Sequence, residues 1–215
     1  KPNDALISNS GKSFMDLPAG SVIGTSSIRR RSQVLSLRKD LSIKLLRGNV
    51  DTRIQKLRNN EYDAVILSLA GLARLNLDHL VTEVSEHNLF LPAACQGAVG
   101  VQALKSSEVK KILAPINDPQ TQTECMAERR VLKNINANCN SPVSIYANIN
   151  KNNITIQFEI FDHHGNKIFK KSKEDLKENC VKLCDELSEE IINTVGQTKI
   201  NELDNLKSDF DYTPS

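Results

Sequence analysis

Arginine and hydroxyl side chains between residues 25 and 74 are the best candidates for chemistry in this sequence. The arginines are Arg29, Arg30, Arg47, Arg53 and Arg74, and the nearby hydroxyl residues are Thr25 and Ser27. A guanidinium group stays charged at neutral pH and meets a carboxylate or phosphate through two parallel hydrogen bonds. These residue types at this spacing therefore predict a site for an anionic ligand.

Three short apolar runs must position the arginines, and each is typical of a β-strand that leads towards a helix. The predicted strands lie near residues 22–25, 42–46 and 64–68. Ser26 and Ser27 are suitable N-caps for the first helix, and Asn49 is a suitable N-cap for the second. Ligands of open α/β sheets bind at the carboxyl ends of the strands, where helix N-termini also favour anions. A single arginine there is usually a solvated surface charge, but five over three strand ends favour a functional site.

The sequence divides into two predicted domains. An α/β domain spans residues 21–91, because strand and helix patterns alternate there and the run 64–67 is continuously apolar, as in a parallel strand covered on both faces. A small α+β domain spans residues 118–200. It combines helices with a three-stranded antiparallel sheet, for which the predicted strands are Val143 to Ile149, Ile154 to Phe161 and Lys167 to Lys171. Its helices are predicted from Pro119 to Ile135 and from about Leu176 to Gly196.

The remaining segments belong to neither domain in this interpretation. Residues 1–20 resemble a polar lead-in or linker, and residues 201–215 are expected to form a loose acidic tail. Residues 88–92 suggest one further strand. Within the segment 92–117 we expect a short strand over 96–101 and a helix over 107–113, which have no partner in either domain.

Composition and charge exclude several classes of protein. The formal net charge of the 215 residues is only +2, so the chain as a whole is no polyanion binder. No apolar run approaches the length needed to cross a membrane, and we recognise no signal sequence. We therefore expect a soluble protein of the cytoplasm or of an organelle matrix, with no membrane partner.

Cysteine and histidine spacing argues against a metal. The five cysteines are Cys95, Cys125, Cys139, Cys180 and Cys184, an odd number without a C-x-x-C pair. This pattern favours neither a disulfide framework nor a zinc site. His163 and His164 are adjacent in a polar turn, and adjacent side chains of a strand point apart. We predict no metal.

Four strings carry a resemblance to a known family. They are VIGTSSIRRRSQ, LLRGNVDTRIQKL, EYDAVILSLAGLARL and CQGAVGVQ. In this order and spacing the sequence resembles the hydroxymethylbilane synthases, also called porphobilinogen deaminases, densely from Asp16 to Val101 and again from Thr123 to Val143. The resemblance implies a periplasmic-binding-protein-like half for the α/β domain. It also implies a transferase of heme and tetrapyrrole biosynthesis that deaminates four porphobilinogen units and joins them head to tail into hydroxymethylbilane.

The resemblance also implies roles for individual residues. Cys139 would hold dipyrromethane, two linked pyrroles, through a thioether. The residues expected to bind this cofactor are Cys139, Thr25, Ser27, Arg29, Arg30, Arg47 and Arg53, and those expected to bind substrate are Arg74, Arg47 and Arg53. Each pyrrole unit carries an acetate and a propionate, so the growing chain is a polyanion that needs several cationic contacts.

Members of this family carry a further domain ahead of the position of Lys1, and the catalytic aspartate lies there. We expect that portion to be absent from this chain or present as a separate chain, so the catalytic residue is unknown and the chain alone should be inactive. The segment 92–117 would return to that first domain; without it, the segment should be disordered, repacked or held by another piece of protein. The whole enzyme is expected to be a monomer.

Four residues depart from the family pattern. Ala137 and Asn138 stand where glycines usually precede the cofactor cysteine, Cys95 stands where a glycine usually precedes Gln96, and Gln102 replaces a common acidic residue. Cys95 thus offers a second thiol inside a matching segment.

Two other functions remain open at this stage. One is a non-catalytic anion-binding module of periplasmic-binding-protein-like fold, which would need the same arginines. The other is nucleic-acid binding by residues 29–58. This second alternative is weaker because that stretch has no aromatic residue for base stacking.

Overall fold

A computed structural model describes residues 1–104, 108–203 and 210–214. It contains a five-stranded mixed sheet in the N-terminal half and a three-stranded antiparallel sheet in the C-terminal half, each packed against helices. The predicted mixture of an α/β region and an α+β region is therefore confirmed. Among the described residues, none of the helices is both long and apolar enough to cross a membrane.

The first sheet gathers five strands and is flanked by three helices. The strands are β1 (Asp4–Ser8), β2 (Val22–Thr25), β3 (Ser42–Leu45), β4 (Ala64–Ser68) and β5 (Glu83–Val84). The helices are α1 (Ile28–Leu37), α2 (Val50–Arg58) and α3 (Leu69–Arg74), followed by a 3-10 turn at Asp78–Leu80. The strand order is β3-β2-β4-β1-β5, and β2 is parallel to both β3 and β4.

The interpretation of residues 1–20 as a lead-in was wrong for β1. This strand lies between β4 and β5 and pairs antiparallel with both. Ala5, Leu6 and Ile7 are buried, and so is the charged residue Asp4. The segment looked polar because it is flanked by Asp4 and by polar turns, and the partners that allow Asp4 to be buried lie far along the chain.

Both faces of the five-stranded sheet are covered. Ile66 of β4 packs in one apolar cluster with Ile23, Val34 and Ile43. Its neighbour Val65 packs in a second cluster that includes Ile54 of α2. Because successive side chains of a strand point to opposite faces, this alternation places α1 and α2 on opposite sides of the sheet. The sheet is therefore a rigid central layer whose edge can carry a site.

The C-terminal half is built on the antiparallel sheet β6-β7-β8. Its strands are β6 (Val143–Asn150), β7 (Asn153–Phe161) and β8 (Lys167–Leu176). The chain also forms the helices α4 (Val109–Leu113), α5 (Pro119–Asn134), α6 (Cys180–Val195) and α7 (Gln197–Leu203), and 3-10 turns at Ala114–Ile116 and Lys177–Asn179. The three predicted strands are present, and β8 is longer than predicted.

Part of the predicted tail is ordered. Helix α7 buries Ile200 and Leu203, so the packed structure extends past residue 200. Further on, Tyr212 exchanges two backbone hydrogen bonds with Ile43, at 2.7 and 2.8 Å. Strand β3 is an edge of its sheet and offers free backbone groups for such pairing. The prediction of a loose tail is therefore wrong for residues 210–214.

The segment 92–117 forms less regular structure than predicted. Neither residues 88–92 nor residues 96–101 form a strand, and the helix α4 starts at Val109. Ser107, the predicted start of that helix, lies outside the described residues. Large apolar side chains of this segment are exposed, namely Val99, Val101, Leu104, Val109, Ile112 and Ile116.

Candidate anion site at the strand ends

The parallel strands β2, β3 and β4 end at one edge of the sheet, and the predicted arginines follow these strand ends in the chain. Their carboxyl ends lie side by side, so the turns that follow Thr25, Leu45 and Ser68 share that edge. Helix α1 begins with Ser27 as its N-cap, whose Oγ accepts a hydrogen bond from the Arg30 N–H at 3.3 Å. Helix α2 begins with Asn49 as its N-cap, whose Oδ1 accepts from the Thr52 N–H at 2.8 Å. The remaining N–H groups of each first turn favour an anion.

Arg29 and Arg30, the inner arginines, are buried against Asp4. Their exposed fractions are 4% and 8%, and that of Asp4 is 0%. Arg29 Nη1 lies 2.7 Å from Asp4 Oδ2, and Arg30 Nη2 lies 2.8 Å from Asp4 Oδ1. Gln96 Nε2 donates to the same Oδ1 at 2.9 Å. One carboxylate thus faces two guanidinium groups, which leaves a net positive charge in the interior.

Electrostatics fix the protonation of this cluster. Burial alone would raise the pKa of Asp4, but Arg29 and Arg30 outweigh burial and lower the pKa below its ordinary value. The pKa of Arg29 is lowered by burial, against the opposing effect of Asp4. Arg29 Nη1 also donates to the Leu91 carbonyl at 2.7 Å, whereas its Nε–H is buried without an acceptor among the described residues. Asp4 is therefore ionised at neutral pH, and the Arg29 Nε–H is a hydrogen-bond donor without a described acceptor.

Arg47, Arg53 and Arg74, the outer arginines, have a different environment. Arg47 and Arg74 are exposed, and Arg53 is half-buried with its Nε donating to the Gly48 carbonyl at 2.8 Å. Burial lowers the pKa of Arg53, and the nearby charge of Arg30 lowers it further. In the described part of the chain none of the three forms an ion pair. Their guanidinium groups are therefore available to an external anion.

Thr25 and Ser27 shape the turn between β2 and α1. Thr25 is fully buried, and its Oγ1 accepts from the Ser27 N–H at 3.2 Å. Because the Ser27 hydroxyl caps α1, both side chains are engaged by backbone groups of their own turn. These hydrogen bonds fix the turn that precedes Arg29 and Arg30.

Cys139 lies in a loop of the C-terminal half. The loop follows α5 and is held by hydrogen bonds from the Asn138 N–H to Ser141 Oγ and from the Asn140 N–H to Asn138 Oδ1, both 2.8 Å long. The Cys139 thiol is exposed. The structure brings Arg29 and Arg30 together on Asp4 and places Arg53 close to the charge of Arg30, whereas no described hydrogen bond joins Cys139 to any of the arginines.

Two partners of the inner arginines escaped the sequence analysis. Asp4 was assigned to a linker, and Gln96 was noted only as part of a family string. The available signal was an acidic residue immediately before the apolar run Ala5 to Ile7, in a chain with adjacent arginines after the next strand. Such an acid in a buried strand requires a cationic partner.

The departures from the family pattern have different structural outcomes. Cys95 adopts φ 59°, in the left-handed region that glycine tolerates best. In the loop before Cys139 the positive φ of 55° falls on Asn136, not on Ala137 or Asn138. Gln102 is exposed.

Two family models match most of the chain. Residues 1–111 match the family model described as porphobilinogen deaminase, dipyromethane cofactor binding domain. Residues 122–193 match the model of the porphobilinogen deaminase C-terminal domain. The first match contains all five arginines of the sheet edge, and the second contains Cys139.

Curated relatives extend the similarity over most of the chain. The porphobilinogen deaminase of Campylobacter jejuni subsp. doylei is 40% identical over 82% of this chain and 58% of its own length. That of Roseiflexus castenholzii is 45% identical over 68% of this chain and 48% of its own length, and that of Clostridium kluyveri is 40% identical over 88% and 64%. The chain therefore spans about half to two thirds of these relatives. On these matches the chain belongs to the porphobilinogen deaminase family.

Proposed function

We propose that this chain serves as a hydroxymethylbilane synthase, which deaminates porphobilinogen and joins four units head to tail on a dipyrromethane primer. The observation that carries the proposal is the excess of positive charge at the sheet edge. Among the described residues, Asp4 is the one acid that pairs with the inner arginines, and none pairs with the outer arginines. A ligand with several carboxylates supplies the missing negative charge.

The residues present fit dipyrromethane. The outer arginines have planar guanidinium groups that form no described ion pair and can each donate two parallel hydrogen bonds to a carboxylate. The inner arginines supply a fixed positive field and the unused Arg29 Nε–H. The Cys139 thiol is accessible for a thioether bond. When bound, the group would supply the pyrrole carbon to which the first substrate is joined.

The chain's own residues bind and orient in this proposal. Arg47 and Arg53 hold cofactor and substrate carboxylates, and Arg74 holds substrate. Thr25 and Ser27 keep the turn that presents Arg29 and Arg30. Asp4 is a positioning residue, because it touches the inner arginines and lies fully buried beneath them. No residue of this chain is assigned as catalytic.

The exposed apolar segment supports the proposed domain organisation. Val99, Leu104 and Ile112 are 80%, 78% and 72% exposed, which is unusual for side chains of this kind. We propose that the segment 92–117 packs on the family's first domain in the whole enzyme. We further propose a cytoplasmic or organelle-matrix monomer. Size-exclusion chromatography with light scattering of the whole enzyme would test the monomer.

Denaturing mass spectrometry with peptide mapping tests the cofactor assignment. We expect two linked pyrroles on the peptide that contains Cys139, and colour with the aldehyde reagent for pyrroles. The variant Cys139→Ser should lose both signals, whereas Cys180→Ser, which changes a half-buried thiol on α6, should keep them. Pyrroles on Cys95 instead would overturn the assignment.

The second candidate is a non-catalytic anion-binding module of periplasmic-binding-protein-like fold. It would use the same outer arginines, which form no ion pair among the described residues. Such a module would bind carboxylates but stay colourless with the pyrrole reagent, even when expressed as the whole protein.

A further inference from the structure

Cys95, Cys125 and Glu128 form a cluster away from the arginine edge. Their Sγ and carboxylate oxygen atoms all lie within 4.8 Å of one another. Cys125 and Glu128 are three residues apart on α5, which places them on one face of that helix. Cys95 lies on the loop that leaves the N-terminal half. The fold therefore joins thiols that are 30 residues apart in the sequence.

Glu128 is a buried carboxyl without a cationic partner. It is 5% exposed, and in the described ranges it forms no ion pair. Its Oε2 accepts the Cys95 N–H at 2.5 Å and its Oε1 accepts the Ala147 N–H at 2.9 Å. These bonds fix the orientation of the carboxyl, and each oxygen retains a lone pair. A buried charge of this kind is costly unless a cation accompanies it.

Cys95 is held in a conformation that a cysteine rarely adopts. Its φ of 59° lies in the left-handed region, which glycine adopts more easily than any residue with a Cβ. The conformation directs its Sγ towards α5, where it lies 3.6 Å from the Cys125 carbonyl oxygen. The three residues also line a cavity of about 160 Å³, which is ample for an ion and a water molecule.

We propose that Cys95, Cys125 and Glu128 bind one thiophilic divalent cation of the Zn²⁺ class. Two thiolates and one carboxylate form a donor set that zinc accepts, and water from the cavity completes a tetrahedron. In such a site the ligand atoms lie roughly 3.5 Å apart, so small side-chain rotations suffice. Binding releases the two thiol protons. The cation clamps the loop at Cys95 to helix α5.

The proposal departs from the sequence-based prediction of no metal. That prediction relied on the spacing of cysteines and histidines along the sequence, which does not report which thiols meet in the fold. Cys180 and Cys184, four apart on α6, form a second thiol pair, but within the described residues no third ligand joins them. They therefore serve as an internal control.

Titration of the reduced protein with Co²⁺, followed by competition with Zn²⁺, tests the proposal. We expect one Co²⁺ per chain, with thiolate charge-transfer absorption that Zn²⁺ abolishes, and a higher melting temperature with Zn²⁺. The double variant Cys95→Ser/Cys125→Ser should lose the absorption, while Cys180→Ser should retain it. Glu128→Gln keeps both thiols and should weaken the affinity for Co²⁺ by at least about tenfold, the loss that even an outer-shell partner typically causes.

Three results would overturn the site. One is the absence of saturable Co²⁺ absorption in the reduced wild-type protein. Another is absorption that persists in the double cysteine variant while circular dichroism shows it folded. The third concerns protein purified without reductant, in which Cys95 and Cys125 have formed a disulfide. If this oxidised protein binds as much Co²⁺ as the reduced protein, the two thiols are not the ligands. Because the readout uses metal and thiols only, it is independent of pyrrole binding.

Discussion

The inner and outer arginines of the same sheet edge differ in what their charges meet. Arg29 and Arg30 are buried with Asp4, whose carboxylate lies 2.7 and 2.8 Å from them. Arg47 and Arg74 are exposed and form no described ion pair. Arginine therefore occurs at this edge in two environments, buried in an ion pair and exposed without one.

The difference shows how a protein can gather positive charge at a candidate anion site and still fold. A buried guanidinium must be paired, so the inner arginines carry their own carboxylate. Exposed guanidinium groups need no partner, since water solvates them until a ligand arrives. Arg53 stands between the two groups, because it is half-buried and close to the charge of Arg30.

Removing the inner carboxylate should have the largest effect on stability. Asp4→Asn leaves two buried guanidinium groups without a counter-charge, so we expect a loss of about 3 to 5 kcal/mol in the free energy of unfolding. Urea denaturation followed by circular dichroism measures it. Asp78→Asn, an exposed change in the same half of the chain, should stay within about 0.5 kcal/mol. Equal losses in both variants would show that the Asp4 cluster is not special.

Acid should break the same cluster in the wild-type protein. The pKa of Asp4 is lower in the folded state, so its contribution to stability is present above the ordinary carboxyl pKa of about 4 and is lost as the pH falls through the folded value. We therefore expect the stability difference between wild type and Asp4→Asn to shrink steadily below about pH 4. A difference that stays constant down to pH 2 would contradict the buried ion pair.

A contact between the two halves of the molecule offers a smaller perturbation. Gly165, in the turn before β8, has φ 76°, and a Cβ there would lie 2.5 Å from Leu35 Cβ of α1. Gly11 has a similar φ of 67° with open space around it. We expect Gly165→Ala to cost about 1 to 3 kcal/mol more than Gly11→Ala in urea denaturation, because both share the backbone strain but only one is overpacked. Equal costs would mean that the halves do not pack tightly at this point.

The smallest effect on stability is expected from the outer arginines. Replacing Arg47, Arg53 and Arg74 together by glutamine should change the free energy of unfolding by less than about 0.5 kcal/mol per residue, because none of them is paired. A loss as large as that of Asp4→Asn in the same urea experiment would show that the outer arginines are structural.

Sequence patterns predicted the parts of this site that depend on local chemistry. Strands β2 and β4 and the caps Ser27 and Asn49 lie where the apolar runs and capping residues indicated. The arginines share one edge because parallel strands end together. The separation into inner and outer arginines was not predictable, because it depends on Asp4.

The features that sequence analysis missed all depend on distant partners. Strand β1 pairs with β4, some 60 residues away, so its polar start gave no hint of a buried position. Tyr212 pairs with Ile43 across most of the chain. Cys95 meets Cys125 only after the loop is folded onto α5. Local periodicity carries no information about such long-range contacts.

Calorimetric titration with porphobilinogen tests the central claim most directly, comparing wild type, the triple variant of the outer arginines and Arg58→Gln. Arg58 lies on the same helix as Arg53 but at its far end, so it matches the charge change without touching the strand edge. We expect wild type and Arg58→Gln to bind equally, and the triple variant to bind at least about tenfold more weakly for each arginine lost. Equal affinity of the triple variant and Arg58→Gln would contradict the assignment of this edge as the anion site.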